Sequence, residues 1–164
     1  MDLYIIRHAW AGEYGDPQWP DDTLRPLTKK GRKRFAAMVG ILSRRGVEPS
    51  VIATSPMVRC RETAEILAEG LIDRAEVIER QELLPHGDLD SLLKWTAQQA
   101  EEHSQIAWVG HAPDVGQLTA ALIGQPNASI RFAKGAVAAL RFVGPVEIGG
   151  AELRWLATAR LLDC

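Results

Sequence analysis

Cysteine is scarce in this sequence, and so is any excess of charge of one sign. Only two cysteines occur among the 164 residues, Cys60 and Cys164. So few argue against a disulfide framework and favour a reducing compartment such as the cytoplasm. The 19 lysines and arginines nearly balance the 21 aspartates and glutamates, which leaves a formal net charge of −2. Without a broad basic excess we expect no nucleic-acid partner, and any anion-binding site must be local.

Several sequence features that would indicate other classes of protein are also absent. No apolar stretch is long enough to cross a bilayer, and the first residues enter an apolar run without the basic segment of a signal peptide. We therefore expect a cytoplasmic protein that does not bind membranes. The sequence has no Walker loop, dinucleotide-binding glycine fingerprint, metal-ligand spacing or internal repeat. We expect neither a metal ion nor a cofactor.

Length and composition are those of an ordinary globular domain. The sequence is 46% hydrophobic and 24% charged. A chain of this length can bury a substantial core without disulfides or a structural metal. We therefore expect one domain that spans residues 1–164.

The first apolar run ends on a pair of polar side chains. Residues 3–6 (Leu-Tyr-Ile-Ile) lack alternation, which is typical of a strand covered on both faces, and Arg7 and His8 follow directly. Ligands of open parallel sheets bind just beyond the carboxyl ends of such strands. A neutral imidazole can attack phosphorus, and a guanidinium beside it can hold phosphate oxygens. A strand end that merely reaches solvent would look the same, so the rest of the sequence must decide.

Two further apolar runs end in the same way. Residues 51–55 predict a second buried strand that finishes on Ser55, and Arg59 would then lie in the first turn of the following helix, where an anion is favoured. Residues 106–110 predict a third strand, followed by His111. Arg59 could instead form a surface ion pair with a nearby glutamate, and His111 could be a core or capping residue. In a βαβ arrangement, however, these groups would meet Arg7 and His8 at one sheet edge.

Helical periodicity separates the strands. Thr28 is a candidate N-cap for a helix whose apolar face is Phe35, Met38, Val39 and Leu42. The basic cluster between residues 29 and 34 is either a solvated face or a docking patch. Residues 136–142 and 153–159 predict two more strands. The alternation of strands and helices predicts an α/β fold around a mostly parallel sheet.

The candidate proton donor lies in the irregular segment between residues 82 and 88. Asp88 can cap the helix that follows it, or it can act as a general acid that protonates a leaving group. Glu82 is the other carboxylate of this segment. If the substrate is a phosphoramidate, its imidazole leaving group can already be protonated, and a strong acid is then less necessary.

Taken together, these motifs resemble the histidine phosphatase superfamily, the phosphoglycerate mutase-like fold, and within it the small bacterial SixA-type phosphohistidine phosphatases. The segments Arg25-Pro26-Leu27-Thr28 and Pro85-His86-Gly87-Asp88 look like that small phosphatase branch. The resemblance runs from residue 3 to about residue 160 and rests on Arg7-His8, on Arg25 to Thr28 with Gly31, on Ser55-Pro56 with Arg59, Thr63 and Ala64, and on Gly110-His111.

The resemblance implies a three-layer α/β/α sandwich and a metal-independent phosphatase. His8 would attack phosphorus and become transiently phosphorylated, while Arg7, Arg59 and His111 hold the equatorial oxygens. Ser55, at the second strand end, is a further candidate for substrate binding. The position of Asp88 in the Pro-x-Gly-Asp pattern favours it over Glu82 as the proton donor.

The leading hypothesis is hydrolysis of phosphohistidine on a phosphotransfer protein, a signal-transduction role. We expect the arginines beside His8 to keep its imidazole neutral, because a third positive charge there is unfavourable. One alternative keeps the chemistry but takes a small phosphate ester or sugar phosphate as substrate. The other alternative is a phosphate-binding module without turnover, which the complete set of candidate residues disfavours.

Overall fold

Strands and helices alternate along most of the chain. The computed structural model describes residues 1–164. The strands are β1 (Asp2–Arg7), β2 (Val51–Thr54), β3 (Glu76–Glu79), β4 (Gln105–Gly110), β5 (Val137–Phe142) and β6 (Ala151–Ala157). The α-helices are α1 (Lys29–Ser43), α2 (Val58–Glu69), α3 (Leu89–Gln99) and α4 (Asp114–Leu122). Two short 3-10 helices cover Asp22–Leu24 and Gln81–Leu83.

The six strands form one mixed sheet in the order β3-β2-β4-β1-β5-β6. Strands β3, β2, β4 and β1 are parallel to one another, whereas β5 is antiparallel to both of its neighbours, β1 and β6. Strand β4 therefore lies between β1 and β2, and the carboxyl ends of these three strands are adjacent. The predicted mostly parallel α/β fold is confirmed.

Helices cover both faces of the sheet, so the architecture has three layers. On one face, Tyr4 and Ile6 pack with the apolar sides of α1 and α2, which include Phe35 and Leu67. On the other face, Leu3 and Ile5 pack with α3 and α4, which contribute residues such as Leu92, Val115 and Leu122. Burial of every second residue on each face explains why the β1 sequence is apolar without alternation.

Helix α1 begins where the sequence predicts. The Thr28 hydroxyl accepts a hydrogen bond from the Gly31 N–H at 2.9 Å, which is the N-cap interaction. The predicted apolar face, Phe35, Met38, Val39 and Leu42, is buried. A side chain at Gly31 would collide with the backbone carbonyl of Trp10, so glycine lets the start of α1 pack against the loop that follows His8.

The last strand differs from its prediction. Strand β6 begins at Ala151 and ends at Ala157, two residues before the predicted range at each end. It is an edge strand, and its residues 152–155 are exposed. An exposed edge carries little burial pattern from which its bounds could be read. None of the helices combines the length and the hydropathy that crossing a bilayer requires.

Candidate active site

The carboxyl ends of β1, β4 and β2 place four of the predicted site residues around one cavity. In the sheet register Arg7 lies opposite Gly110, and the His8 N–H donates to the Gly110 carbonyl at 2.9 Å. His111, the residue that follows β4, is thereby brought beside His8, and the two ring centroids are 5.5 Å apart. The cavity has a volume of about 540 Å³, and Arg7, His8, Arg59 and His111 all line it.

The His8 ring is held in one tautomer by a backbone carbonyl. Its Nδ1 lies 2.8 Å from the Ala9 carbonyl oxygen, and the ring is nearly fully buried. Because a carbonyl oxygen only accepts, the proton sits on Nδ1 and Nε2 keeps its lone pair. A neutral imidazole with a free Nε2 is the form that can attack an electrophile.

Burial lowers the pKa of His8 to about 3. The neighbouring charges of Arg59 and Arg7 act in the same direction but are secondary to burial. The sequence-based reasoning attributed the neutrality of His8 to the arginines; the larger cause is removal of the ring from water.

His111 has a different set of ring contacts. Its Nε2 lies 2.8 Å from the Ser55 hydroxyl, and its Nδ1 faces the Arg59 guanidinium at 3.4 Å. Burial and then the charge of Arg59 lower the pKa of His111 to about 4, so this ring too is neutral near pH 7. Both of its nitrogens are thus committed to neighbouring polar groups.

The structure corrects the predicted role of Ser55. This residue is completely buried and does not line the cavity. Its side chain points to His111, where it fixes the ring orientation, and it is therefore a positioning residue rather than a substrate contact. Cys60, which also touches His111, is fully buried, and burial raises the pKa of its thiol to about 12.

Arg59 is held by Asp22 and not by a nearby glutamate. Its guanidinium donates to the Asp22 backbone carbonyl at 2.7 Å and pairs with the Asp22 carboxylate at 3.1 Å. Glu62 pairs instead with Arg32. The surface ion pair considered for Arg59 from the sequence is therefore wrong, and Arg59 is buried with its charge directed to the cavity.

Sequence reasoning missed Arg25 and Asp22 as site residues. Both line the cavity. The buried Arg25 donates from Nε to the Asp22 carboxylate at 2.7 Å and from Nη1 to the Gly12 carbonyl at 2.6 Å. The hydrogen bond from Arg25 lowers the pKa of Asp22, which is therefore ionised. The Arg-Pro-Leu-Thr segment was noticed as a family motif, but its return to the site depends on how the long loop folds, which no periodicity reveals.

Two buried guanidinium nitrogens at the cavity have no hydrogen-bond acceptor in the protein, Nε of Arg7 and Nε of Arg59. Arg7 is fixed on one side by a 2.8 Å hydrogen bond from its Nη1 to the Phe132 carbonyl. Buried donors without an acceptor are rare in native proteins. The charges of these two guanidinium groups, which line the cavity together with His8, suit it for an oxyanion such as phosphate.

The structure does not bring Asp88 to this cavity. Its exposed carboxylate caps α3, accepting hydrogen bonds from the Ser91 hydroxyl at 2.6 Å and from the Asp90 N–H at 3.0 Å. These bonds, Ser91 first, lower the pKa of Asp88. The capping alternative is confirmed. The carboxylate is engaged in this cap, and the general-acid role of Asp88 stays a prediction without support from the cavity lining. Glu82 pairs with Arg80 and lines a different cavity.

No group of three or more histidine, cysteine, aspartate or glutamate side chains in residues 1–164 is arranged to hold a metal ion. The cavity is lined by cations, by two neutral imidazoles and by two carboxylates, Glu13 and the ionised Asp22. Such a set of groups can bind a phosphoryl group through its oxygens and offer a nitrogen nucleophile to its phosphorus.

Comparison of the sequence with known proteins identifies one family. The profile of the histidine phosphatase superfamily (branch 1) matches residues 3–125. An uncharacterized protein of Picosynechococcus sp. is 35% identical over 144 residues, which cover 86% of this chain and 85% of that protein. The phosphohistidine phosphatase SixA of Escherichia coli (strain K12) is 30% identical over 125 residues, or 74% of each chain.

A solved structure extends the similarity to the whole fold. The structure of the protein histidine phosphatase SixA complexed with tungstate superposes with a TM-score of 0.84 and 25% sequence identity, covering 99% of both chains. The match includes β5 and β6, which lie beyond the segment that the family profile covers.

Proposed function

The chain belongs to the histidine phosphatase superfamily (branch 1), and we propose that it hydrolyses phosphohistidine on a phosphotransfer protein through a phospho-His8 intermediate. Family membership and the similarity to SixA support phosphatase activity. The single observation that carries the mechanism is the hydrogen bond from His8 Nδ1 to the Ala9 carbonyl, which leaves Nε2 unprotonated at the cavity.

The first chemical step transfers the phosphoryl group to His8. Its Nε2 forms a bond to phosphorus while the bond from phosphorus to the substrate imidazole breaks, and that imidazole leaves with the proton it carries. The guanidinium groups of Arg7 and Arg59 are placed to stabilise the charge on the three equatorial oxygens, and the ring of His111 contacts the Arg59 guanidinium and helps to hold it there. A water molecule then attacks the phosphorus of phospho-His8, which releases orthophosphate and restores the imidazole.

The charges of the cavity favour a leaving group that needs little acid assistance. The carboxylates that line it are Asp22 and Glu13. Asp22 is ionised and held by two arginines, and Glu13 lies on the exposed loop after His8. An alkyl phosphate requires a proton donor for its alkoxide, whereas the imidazole of phosphohistidine can leave already protonated.

Access to the cavity also supports a protein substrate. The loop beside it is open, and Tyr14 on its rim is 84% exposed. A phosphorylated side chain that protrudes from a protein surface could enter such a site, whereas small metabolites are usually bound in enclosed pockets. The tungstate in the SixA structure is a tetrahedral oxyanion, as phosphate is.

A small phosphate ester is the second candidate, and one observation favours it. A separate cavity of about 390 Å³ is also lined by His111 and has an apolar wall that includes Leu83, Leu89 and Val115. This cavity could accept the organic part of a small molecule whose phosphoryl group reached His8.

Rates on three substrates would decide between the two candidates. We expect kcat/KM to be at least about tenfold higher for a phosphohistidine-bearing phosphotransfer domain than for p-nitrophenyl phosphate or a sugar phosphate. EDTA should leave these rates unchanged if the enzyme is metal-independent, as we propose. A sugar phosphate hydrolysed faster than the phosphorylated protein would overturn the phosphohistidine assignment and favour the small ester.

The same substrates test the proton donor. Asp88→Asn should change neither the aryl phosphate rate nor the phosphohistidine rate by more than about twofold, because a surface cap acts on stability rather than on chemistry. Glu13→Gln is the comparison variant, since Glu13 lines the cavity. A large loss with Asp88→Asn on the aryl phosphate alone would restore Asp88 as a general acid.

A further inference from the structure

A second cavity beside the active site is lined by positive charge. It has a volume of about 490 Å³ and contains Arg34, Arg131, Lys134 and Arg160, with Arg7 in its wall. We refer to these residues as the basic cavity. Its other lining residues are apolar or uncharged, and none is acidic. In a protein with a formal net charge of −2, this is a concentration of positive charge in one place.

None of the basic-cavity side chains pairs with an aspartate or a glutamate. Eight arginines elsewhere in the chain each pair with an aspartate or glutamate. The five basic side chains here form no such pair. Burial lowers the pKa of Arg7, and the nearby charge of Arg131 acts in the same direction. The cluster therefore has no aspartate or glutamate side chain that neutralises its charge.

One member of the cluster is held rigidly. The Arg34 guanidinium stacks on the Trp10 ring at 4.4 Å from the ring centroid, and its Nε donates to the Cys164 carbonyl at 2.8 Å. Arg131 and Arg160 are exposed. The basic cavity therefore has a fixed wall and an open side, a shape that acidic side chains on a protein surface could approach.

The basic cavity is continuous with the catalytic one. Arg7 and Lys134 line both cavities. Anionic groups bound in the basic cavity would therefore belong to the molecule whose phosphoryl group lies at His8, or to its immediate neighbourhood. Because the cavity is open and carries several separate charges, it fits a set of carboxylates on a protein better than one enclosed small anion.

We propose that the basic cavity binds acidic side chains that flank the phosphorylated histidine of the protein substrate. This inference rests on the proposed function and adds the surface chemistry of the partner to it. Long-range attraction of this kind acts mainly on association, so it raises kcat/KM through KM and weakens as salt screens it.

Two synthetic phosphohistidine peptides that differ only in their flanking residues provide the test. One carries glutamates around the phosphohistidine and the other carries glutamines. At low ionic strength we expect wild type to prefer the glutamate peptide by about tenfold in kcat/KM, mostly through KM, and to lose that preference in about 0.5 M salt.

The enzyme variants are chosen to leave the catalytic cavity intact. Arg131→Gln/Arg160→Gln should abolish the preference while leaving p-nitrophenyl phosphate hydrolysis unchanged. Arg131→Lys/Arg160→Lys should keep the preference, which guards against a loss of folding. The matched control is Arg44→Gln/Arg45→Gln, which removes two exposed arginines without carboxylate partners just after α1, and it should keep the preference.

The outcomes separate the two proposals. If wild type hydrolyses both peptides at the same rate, or if Arg131→Gln/Arg160→Gln keeps the preference, the docking inference is overturned and the proposed function stands. If the double glutamine variant loses activity on a sugar bisphosphate but keeps the peptide preference, the basic cavity serves a small molecule and the inference is also overturned. If wild type hydrolyses p-nitrophenyl phosphate but neither peptide, both proposals fail.

Discussion

The ends of β1 and β4 place two histidines in nearly the same environment, yet the two rings are suited to different tasks. His8 and His111 follow adjacent parallel strands, both are buried, and burial is the main cause of the lowered pKa of each. The difference is in the hydrogen bonds. His8 binds a carbonyl, which fixes its proton on Nδ1, whereas His111 contacts a hydroxyl and a guanidinium.

The hydrogen-bond partner of one ring nitrogen determines whether the other nitrogen is free to act as a nucleophile. A carbonyl can only accept, so it leaves His8 Nε2 with a lone pair and no competing donor. Ser55 and Arg59 contact both nitrogens of His111, which fixes that ring beside the Arg59 guanidinium. Substitutions at these positions test whether the two rings have separate roles.

The largest contrast should come from replacing each histidine in turn. His8→Asn removes the nucleophile and should lower kcat on the phosphohistidine protein by more than about a thousandfold. His111→Asn removes the ring that contacts the Arg59 guanidinium at the cavity and should cost about a hundredfold in kcat. Steady-state kinetics on both variants measure this, and equal losses would contradict the separate roles.

The two rings should also make the stability of the protein depend on pH. Their pKa values lie near 3 and 4 in the folded protein, below the ordinary value of 6.5. As the pH falls from 6.5 toward 4, the unfolded chain binds protons that the folded protein does not. The free energy of unfolding should therefore decrease by up to about 1.4 kcal/mol per pH unit for each histidine.

Urea unfolding of wild type and His8→Asn between pH 4.5 and 7.5 measures this slope. The variant should lose stability less steeply on acidification, by about one proton. His86→Asn is a matched control, because His86 is a highly exposed histidine. Identical slopes for wild type and His8→Asn would show that the His8 ring is not held neutral by the fold.

A smaller effect is expected when the orienting hydroxyl is removed. Ser55→Ala deletes the hydrogen bond to His111 Nε2 and should lower kcat by about tenfold with little change in KM, since the ring loses orientation but the cations remain. Thr54→Val is the control, because Thr54 is a buried neighbour whose hydroxyl bonds to the Ser55 carbonyl and not to His111. If both variants behave alike, Ser55 has no specific role in positioning His111.

Much of the fold could be predicted because burial leaves a pattern in the sequence. The apolar runs of β1, β2 and β4 and the face of α1 follow from layers covered on one or both sides. The exposed edge strand β6 lacks that pattern, and its bounds were two residues off. Sequence reasoning could place a residue at a strand end, but it could not say in which direction the side chain points.

The candidate site could likewise be predicted only as far as the strand ends determine it. Arg7, His8, Arg59 and His111 meet as the strand order requires. Ser55 also follows a strand, but it turns toward His111 rather than into the cavity. Arg25 and Asp22 enter from a long loop whose path depends on the contacts of Trp10 and Gly12 with distant residues, and local sequence carries no signal for such contacts.

Transfer of phosphate to the enzyme itself tests the central claim most directly. Wild type and His8→Ala are mixed with a phosphohistidine-bearing protein, quenched within milliseconds, and assayed for acid-labile, base-stable phosphate on the enzyme. We predict labelling of wild type at His8, which peptide mapping would locate, and none of His8→Ala. Labelling of His8→Ala at the wild-type level, or label mapped to His111, would contradict the assignment of His8 as the nucleophile.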